Sequence, residues 1–326
     1  MNTPHSGFPS VDVLRIGFVG AGRLGKALAL SLARAGLRVS AVASVALVDA
    51  RTLADAIPGC VAVNAQAVID TCDLVFITTP DGAIEPTTTA LRWRPNMAAV
   101  HCSGVTELSA LAGAERDGAL TGGFHPMQTF GEVIAAMASL PGSTITVEAS
   151  EPLMAMLETL TQRLGCRVNR LPPGMRGRYH AAAGYTSQFI NALFGEATKI
   201  WRSWGANDED ALKALLPLAQ GTLTSIATAG IAGGMPGPVS RGDVSSVEKH
   251  VVALAQMDND TVNLYRQLCA CTVTLAVAHG AIDATQARRI LDVLEAVREP
   301  AADASALAST RQALNARARW SVRNMS

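Results

Sequence analysis

"VLRIGFVGAGRLGKALALSLARAG" (residues 13–36) is where the fold of this chain can first be read. The apolar run 13–19, rich in valine and isoleucine, predicts a strand buried on both faces. Gly20, Gly22 and Gly25 then form G-x-G-x-x-G, ahead of an alanine- and leucine-rich helix ending near Gly36. In a dinucleotide-binding unit the first glycine makes the tight turn and the second admits the pyrophosphate. The third lets helix and strand pack closely, and the helix N-terminus faces the phosphates. Glycines alone are a weak signal; strand, fingerprint and helix in that order are specific. Cofactor contacts are therefore expected at Gly20, Ala21, Gly22, Arg23, Leu24 and Gly25.

The next strand, "LRVSAVA" (37–43), ends about twenty residues after the fingerprint, where an Asp or Glu usually receives the ribose hydroxyl of NAD. Here Ser44 stands instead, followed by Val45. Without a carboxylate there is less repulsion against a 2′-phosphate, which favours NADP and leaves NAD as the alternative. Arg23 and Arg51 are the nearest cations.

Further strands follow with helical spacing between them: 73–81, 98–104, 118–124, 143–149 and, last and short, 167–171. Strands alternating with helices predict an α/β doubly wound parallel sheet, whose ligands gather at the carboxyl ends of the strands. Those ends carry Thr79–Pro80–Asp81, His101–Cys102–Ser103–Gly104 and His125–Pro126, so Thr79, Pro80 and Ser103 join the expected cofactor contacts. In "TGGFHPMQTF" (121–130), Pro126 biases His125 towards extended backbone. Gly122 and Gly123 let another segment or a ligand come close. His125 and Gln128 are candidate substrate contacts.

After "PPG" (172–174) the pattern turns helical, at roughly 176–204, 208–229, 244–256, 258–280 and 284–297. The stretch from Glu299 is less periodic and expected to pack loosely. A dinucleotide domain over 11–172 and an all-α domain over 173–326 follow, the latter apolar enough to form a bundle and a homodimer interface. His180, Gly184, Ser187 and Asn191, spaced four, three and four apart, would make a polar stripe on one helix face. In "GPVSRGD" (237–243), Arg241 suits a substrate carboxylate. Asp243 either supports that contact or simply caps the helix that starts at Val244.

Composition narrows the classes. The 326 residues hold 27 Lys plus Arg and 27 Asp plus Glu, so no net charge draws nucleic acid or an anionic membrane. No apolar run reaches the roughly 18 residues that span a bilayer, and no basic n-region precedes an apolar core. Six cysteines without a C-x-x-C pair read as reduced thiols of a cytoplasmic protein. His101–Cys102 is too isolated for a metal site, and none is expected. A hydrolase using Cys102 or Ser103 lacks a nucleophile elbow.

Taken together, "GAGRLG", "TTPD", "HCSG", "GFHPMQTF", "RYHAAA" and "GPVSRGD" resemble a family that joins a Rossmann-like domain to a helical domain of unknown function. Its members are assigned as NAD(P)-dependent oxidoreductases. The wider relatives are 6-phosphogluconate dehydrogenase-like enzymes: pyrroline-5-carboxylate reductase, ketopantoate reductase and prephenate dehydrogenase. The resemblance implies that His125 matches the His-Pro-Met histidine beside substrate in prephenate dehydrogenases. It places His180 where ketopantoate reductases and hydroxyacid dehydrogenases carry a catalytic lysine, and Ser187–Gln188 where members often have Ser-Asn. It implies an NADP-dependent reductase or dehydrogenase of a small anionic carbonyl, imine or hydroxy acid. His180 would be the general acid, with His125 orienting substrate or substituting for it, and Ser187, Arg241 and Asp243 would be further substrate contacts. The rival reading is a dinucleotide sensor or scaffold without catalysis.

Overall fold

The computed structural model describes residues 9–296, in two compact units, one ending at Ile190 and the other beginning at Asn191. The stretch from Glu299 lies outside the described residues.

In the first unit strands and helices alternate: β1 (Ile16–Val19), α1 (Arg23–Arg34), β2 (Val39–Ala43), α2 (Leu47–Asp55), β3 (Val61–Ala62), α3 (Ala65–Thr71), β4 (Leu74–Ile77), α4 (Asp81–Ala90) and β5 (Ala98–His101). They continue with α5 (Ala112–Arg116), β6 (Leu120–Pro126), α6 (Val133–Ser139), β7 (Thr144–Ala149), α7 (Leu153–Arg163), β8 (Arg167–Arg170) and α8 (Arg176–Tyr185). One sheet runs β3-β2-β1-β4-β5-β6-β7-β8. The expected doubly wound sheet is present, with one departure: β7 runs antiparallel to β6, and β8 follows β7 in parallel. The edge strand β3 escaped sequence reading because two residues show no periodicity.

Side chains alternate across this sheet, as strand geometry requires. Ile16, Phe18, Phe76, Val100, Phe124, Ile145 and Val147 pack one face. Val19, Val75, Ile77 and Ala99 pack the other. Phe18 stacks on Phe76 at 5.2 Å, and Phe76 meets Phe124 at 5.4 Å. With Phe124 and Val147 committed to the first face, their neighbours Gly123, His125, Thr146 and Glu148 lie on the second.

The second unit is helical and opens within α9 (Gln188–Arg202). It continues with α10 (Asp208–Gly233), α11 (Val244–Ala255), α12 (Asn259–Ala278) and α13 (Ala284–Glu295). Val247, Val251, Val262, Val273, Ile290 and Leu294 form its core. The single long helix expected from 176 is two helices. Thr186 leaves helical geometry (φ −104°, ψ 7°), and the Thr186 and Ser187 hydroxyls both donate to the Ala183 carbonyl oxygen, at 3.3 and 2.8 Å. Such back-bonding competes with the helix ladder, so His180 and Asn191 fall on separate helices and the four-residue stripe is broken.

One described helix, α10, is long and apolar enough to cross a membrane (mean hydropathy 1.3 over its best window), although the sequence reading expected none. Pro217 lies inside it and Gly230 kinks it (φ 76°, ψ 175°).

Candidate functional site

Two of the three fingerprint glycines, Gly20 and Gly25, take the turn and packing roles expected of them. Gly20 takes φ 115°, and a Cβ there would lie 2.6 Å from the Thr78 carbonyl carbon. A Cβ on Gly25 would come within 2.7 Å of Thr78 Oγ1, the hydroxyl that donates to the Gly20 carbonyl oxygen at 2.6 Å. These two glycines fit β1, α1 and β4 together. Gly22 differs: it is exposed, and a Cβ there would meet no atom within 4 Å. It caps α1 with no side chain on the first-turn N–H groups. A side chain at Gly22 would cost the protein nothing, so the space above it is open to an anionic group. Ala21 is buried, Leu24 is half-buried against the core, and Arg23 is exposed.

Ser44 is half-buried at the end of β2, with Val45 fully exposed beside it. Asp49, the first acid after that strand, is paired with Lys26 at 2.6 Å. At the end of β4, Thr79 Oγ1 is buried without a hydrogen-bond partner, while Pro80 is exposed and begins α4. An orphaned hydroxyl at this edge is a natural partner for a bound polar group. Thus Gly22, the first turn of α1 and Thr79 fit a dinucleotide. Ser103 is otherwise engaged. Its hydroxyl donates to Thr106 Oγ1 (2.8 Å) and accepts from the Thr106 backbone N–H (3.0 Å), closing a turn.

Beyond β5 and β6 lies a polar cluster that the first unit builds by itself. Arg176, wholly buried at the start of α8, donates from Nε to Glu148 at 2.6 Å and from Nη1 to the Ser103 carbonyl at 2.8 Å. Gly123 makes this possible, since a Cβ there would approach Arg176 Cζ to 2.7 Å. The segment that the glycines of "TGGF" admit is therefore an arginine of the protein. Burial raises the Glu148 pKa against the opposing pull of Arg176.

His125, at the end of β6, shares a hydrogen bond of 2.7 Å between Nδ1 and the Tyr179 hydroxyl. Its ring meets His180 edge-on, with centroids 5.9 Å apart. Both imidazoles converge above Gly104, where a Cβ would lie 2.9 Å from His125 Nε2. Burial, then the neighbouring His180 and Arg176, pushes the His125 pKa down to about 4. At neutral pH this ring is uncharged. Beneath it His101 is wholly buried with neither ring nitrogen hydrogen-bonded, and burial and Arg176 take its pKa to about 3. His180 is exposed. It was expected to reach the site from a second domain; α8 instead belongs to the same compact unit as β6.

Other expected contacts are otherwise occupied. Gln128 donates to the Ser139 carbonyl (3.2 Å) and accepts from the Thr129 N–H (2.8 Å), holding its own loop. Ser187 donates to Ala183. Arg241 and Asp243 are in the second unit. Asp243 caps α11, accepting from the Ser246 N–H (3.1 Å) and hydroxyl (2.6 Å), the structural role open to it from the start. Cys102 is buried and its thiol pKa raised, which leaves no activated thiolate. Among the described residues no three His, Cys, Asp or Glu side chains cluster as metal ligands. Arg176, Tyr179 and Glu148 were missed as site residues, and His101 was noted at its strand end without a role. The signal was available in "RGRYH", where Arg176, Tyr179 and His180 fall at i, i+3 and i+4, on one helix face.

A model of a Rossmann-like domain matches residues 3–126, and one of a domain of unknown function, DUF2520, matches 143–272. No curated protein matches the chain. Among solved structures, protein TM1727 from Thermotoga maritima is 21% identical with a TM-score of 0.68, over 81% of this chain and 99% of that one. A reductive aminase from Aspergillus terreus, in complex with NADPH and ethyl-5-oxohexanoate, is 17% identical (TM-score 0.56; 87% and 93% covered). Plasmodium falciparum pyrroline carboxylate reductase with NADP bound is 10% identical (0.55; 82% and 100%). At these identities the likeness is one of fold. The chain is a two-domain protein in which a Rossmann-like domain is followed by the domain of unknown function DUF2520.

Proposed function

We propose that the chain is an NADP-dependent oxidoreductase of a small anionic carbonyl, imine or hydroxy acid compound, ketopantoate-like in size and charge. One observation carries this reading. The open glycine turn at Gly22 and the paired imidazoles of His125 and His180 stand at the carboxyl edge of one sheet, where ligands of this fold gather. The NADPH and NADP bound to structural neighbours add support. NADP is preferred to NAD because Ser44 follows β2 and the nearest acid, Asp49, is held by Lys26.

When bound, the dinucleotide supplies the hydride. The first turn of α1 would hold the pyrophosphate, with Gly22 leaving it room and Thr79 offering its unpaired hydroxyl. His125, neutral and fixed by Tyr179, orients the substrate. His180, in contact with solvent, delivers or removes the proton. We also propose a homodimer through the helical part. Leu212, Leu216, Leu218, Leu223, Ile226 and Ile231 are exposed on α10, an apolar surface that a second copy would cover. Titration with NADPH and NADH, followed by a screen of 2-oxo acids and cyclic imines at the NADPH absorbance, tests the reading. Binding without consumption would favour the sensor.

A further inference from the structure

Gly104 follows β5, and its backbone does not take the positive φ that calls for glycine. The reason for a missing side chain lies above it. Gly104 is buried, and a Cβ there would stand 2.4 Å from His180 Nδ1, 2.9 Å from His125 Nε2 and 3.0 Å from His125 Cε1. Packing alone does not demand this crowding. His180 is exposed, so its ring has room to lean towards solvent and make way for a methyl group. His125 has less freedom, being tied to the Tyr179 hydroxyl at 2.7 Å. One nitrogen from each ring therefore faces the same point. Their separation cannot exceed those two distances together, and among the described residues no hydrogen bond joins the rings. A single atom can stand within about 2.7–3.2 Å of both nitrogens.

We propose that Gly104 is a specificity-determining residue, whose bare Cα lets His125 Nε2 and His180 Nδ1 hold one substrate oxygen between them. This rests on the reading of the two rings as substrate-facing, and it removes the imine from the substrate classes. Two groups can reach one atom only where that atom has two free directions. A carbonyl oxygen offers two lone pairs, and the hydroxyl it becomes offers lone pairs and a proton. The nitrogen of a cyclic imine has one lone pair, and its ring takes the place that the second imidazole needs. The substrate is then a carbonyl acid or the matching hydroxy acid.

Oxamate, a carbonyl acid analogue that accepts no hydride, tests the clamp without turnover. In the full chain labelled with ¹⁵N-histidine, with NADPH present, oxamate should shift the ring-nitrogen signals of His125 and His180 together. The signals are assigned by their loss in His125→Gln and His180→Gln. Gly104→Ala should fold with a nearly unchanged thermal midpoint, since the atom it crowds most belongs to an exposed side chain. In that variant oxamate should still shift His125, held by Tyr179, but no longer His180. By NADPH absorbance, the wild type should favour a 2-oxo acid over a cyclic imine carboxylate about tenfold or more in kcat/KM, the effect of one hydrogen bond at a charged centre. Gly104→Ala should erase that preference. Oxamate shifting one ring or neither in the wild type, both rings still shifting in Gly104→Ala, or equal use of imine and oxo acid would overturn the proposal. Both rings shifting in a wild type that consumes no NADPH would leave the clamp standing and remove the reductase reading.

Discussion

His125 and His180 share an environment but differ in exposure, His180 being open to solvent and His125 half-buried. His125 is uncharged at any pH well above about 4, so a role in orienting substrate should be insensitive to pH from 5 upward. His180→Ala should lower turnover by about 10² to 10⁴, the usual contribution of a positioned acid or base, with NADPH affinity unchanged. His125→Ala should act mainly on KM. Steady-state kinetics on the two variants separates these roles; a turnover loss confined to His125→Ala would exchange them. The buried imidazole of His101 makes a separate prediction. Its folded pKa of about 3 lies below the usual 6.5, so the unfolded chain binds the proton first. Its contribution to stability is complete above pH 6.5 and is lost as pH falls towards 3. Urea midpoints should therefore drop from pH 7 to pH 5, and His101→Leu should flatten that slope; equal slopes would show that His101 is not buried neutral. The sequence yielded both outer histidines because a strand end and a helix start are local features. It hid Arg176 and Tyr179, whose importance comes from contacts with residues 28 and 54 positions away.

Among the elements, the β1–α1 turn separates fold from function within six residues. Gly20 and Gly25 are packed against Thr78, whereas Gly22 faces open space at ordinary φ (−72°). Gly22→Val should therefore leave the thermal midpoint nearly unchanged and abolish NADPH binding, read by calorimetry and fluorescence titration. Retained affinity would move the cofactor away from this turn. The turn was legible in the sequence because fingerprint, strand and helix are contiguous. The helix break at Thr186 was not, because apolar periodicity continues through it while the hydroxyls of Thr186 and Ser187 divert the backbone. The antiparallel β7 was equally hidden: a strand's composition carries no sign of its direction.

For the whole molecule, composition and alternation led to an α/β sheet followed by helices, and that architecture is present. What composition could not convey is that α10 would leave its large apolar side chains exposed. In solution this surface should be covered by a second copy: sedimentation should give a dimer, and Leu216→Glu with Leu223→Glu should yield monomers that remain folded. A monomeric wild type would contradict the proposed assembly. The central claim, that the glycine turn and the histidine pair serve one redox reaction, is tested most directly by following NADPH absorbance in the presence of a panel of small 2-oxo acids and cyclic imines. The account predicts consumption with at least one of them, faster with NADPH than with NADH and lowered a hundredfold or more in His180→Ala. Tight NADPH binding with no consumption across the panel, or turnover indifferent to His180→Ala, would contradict it.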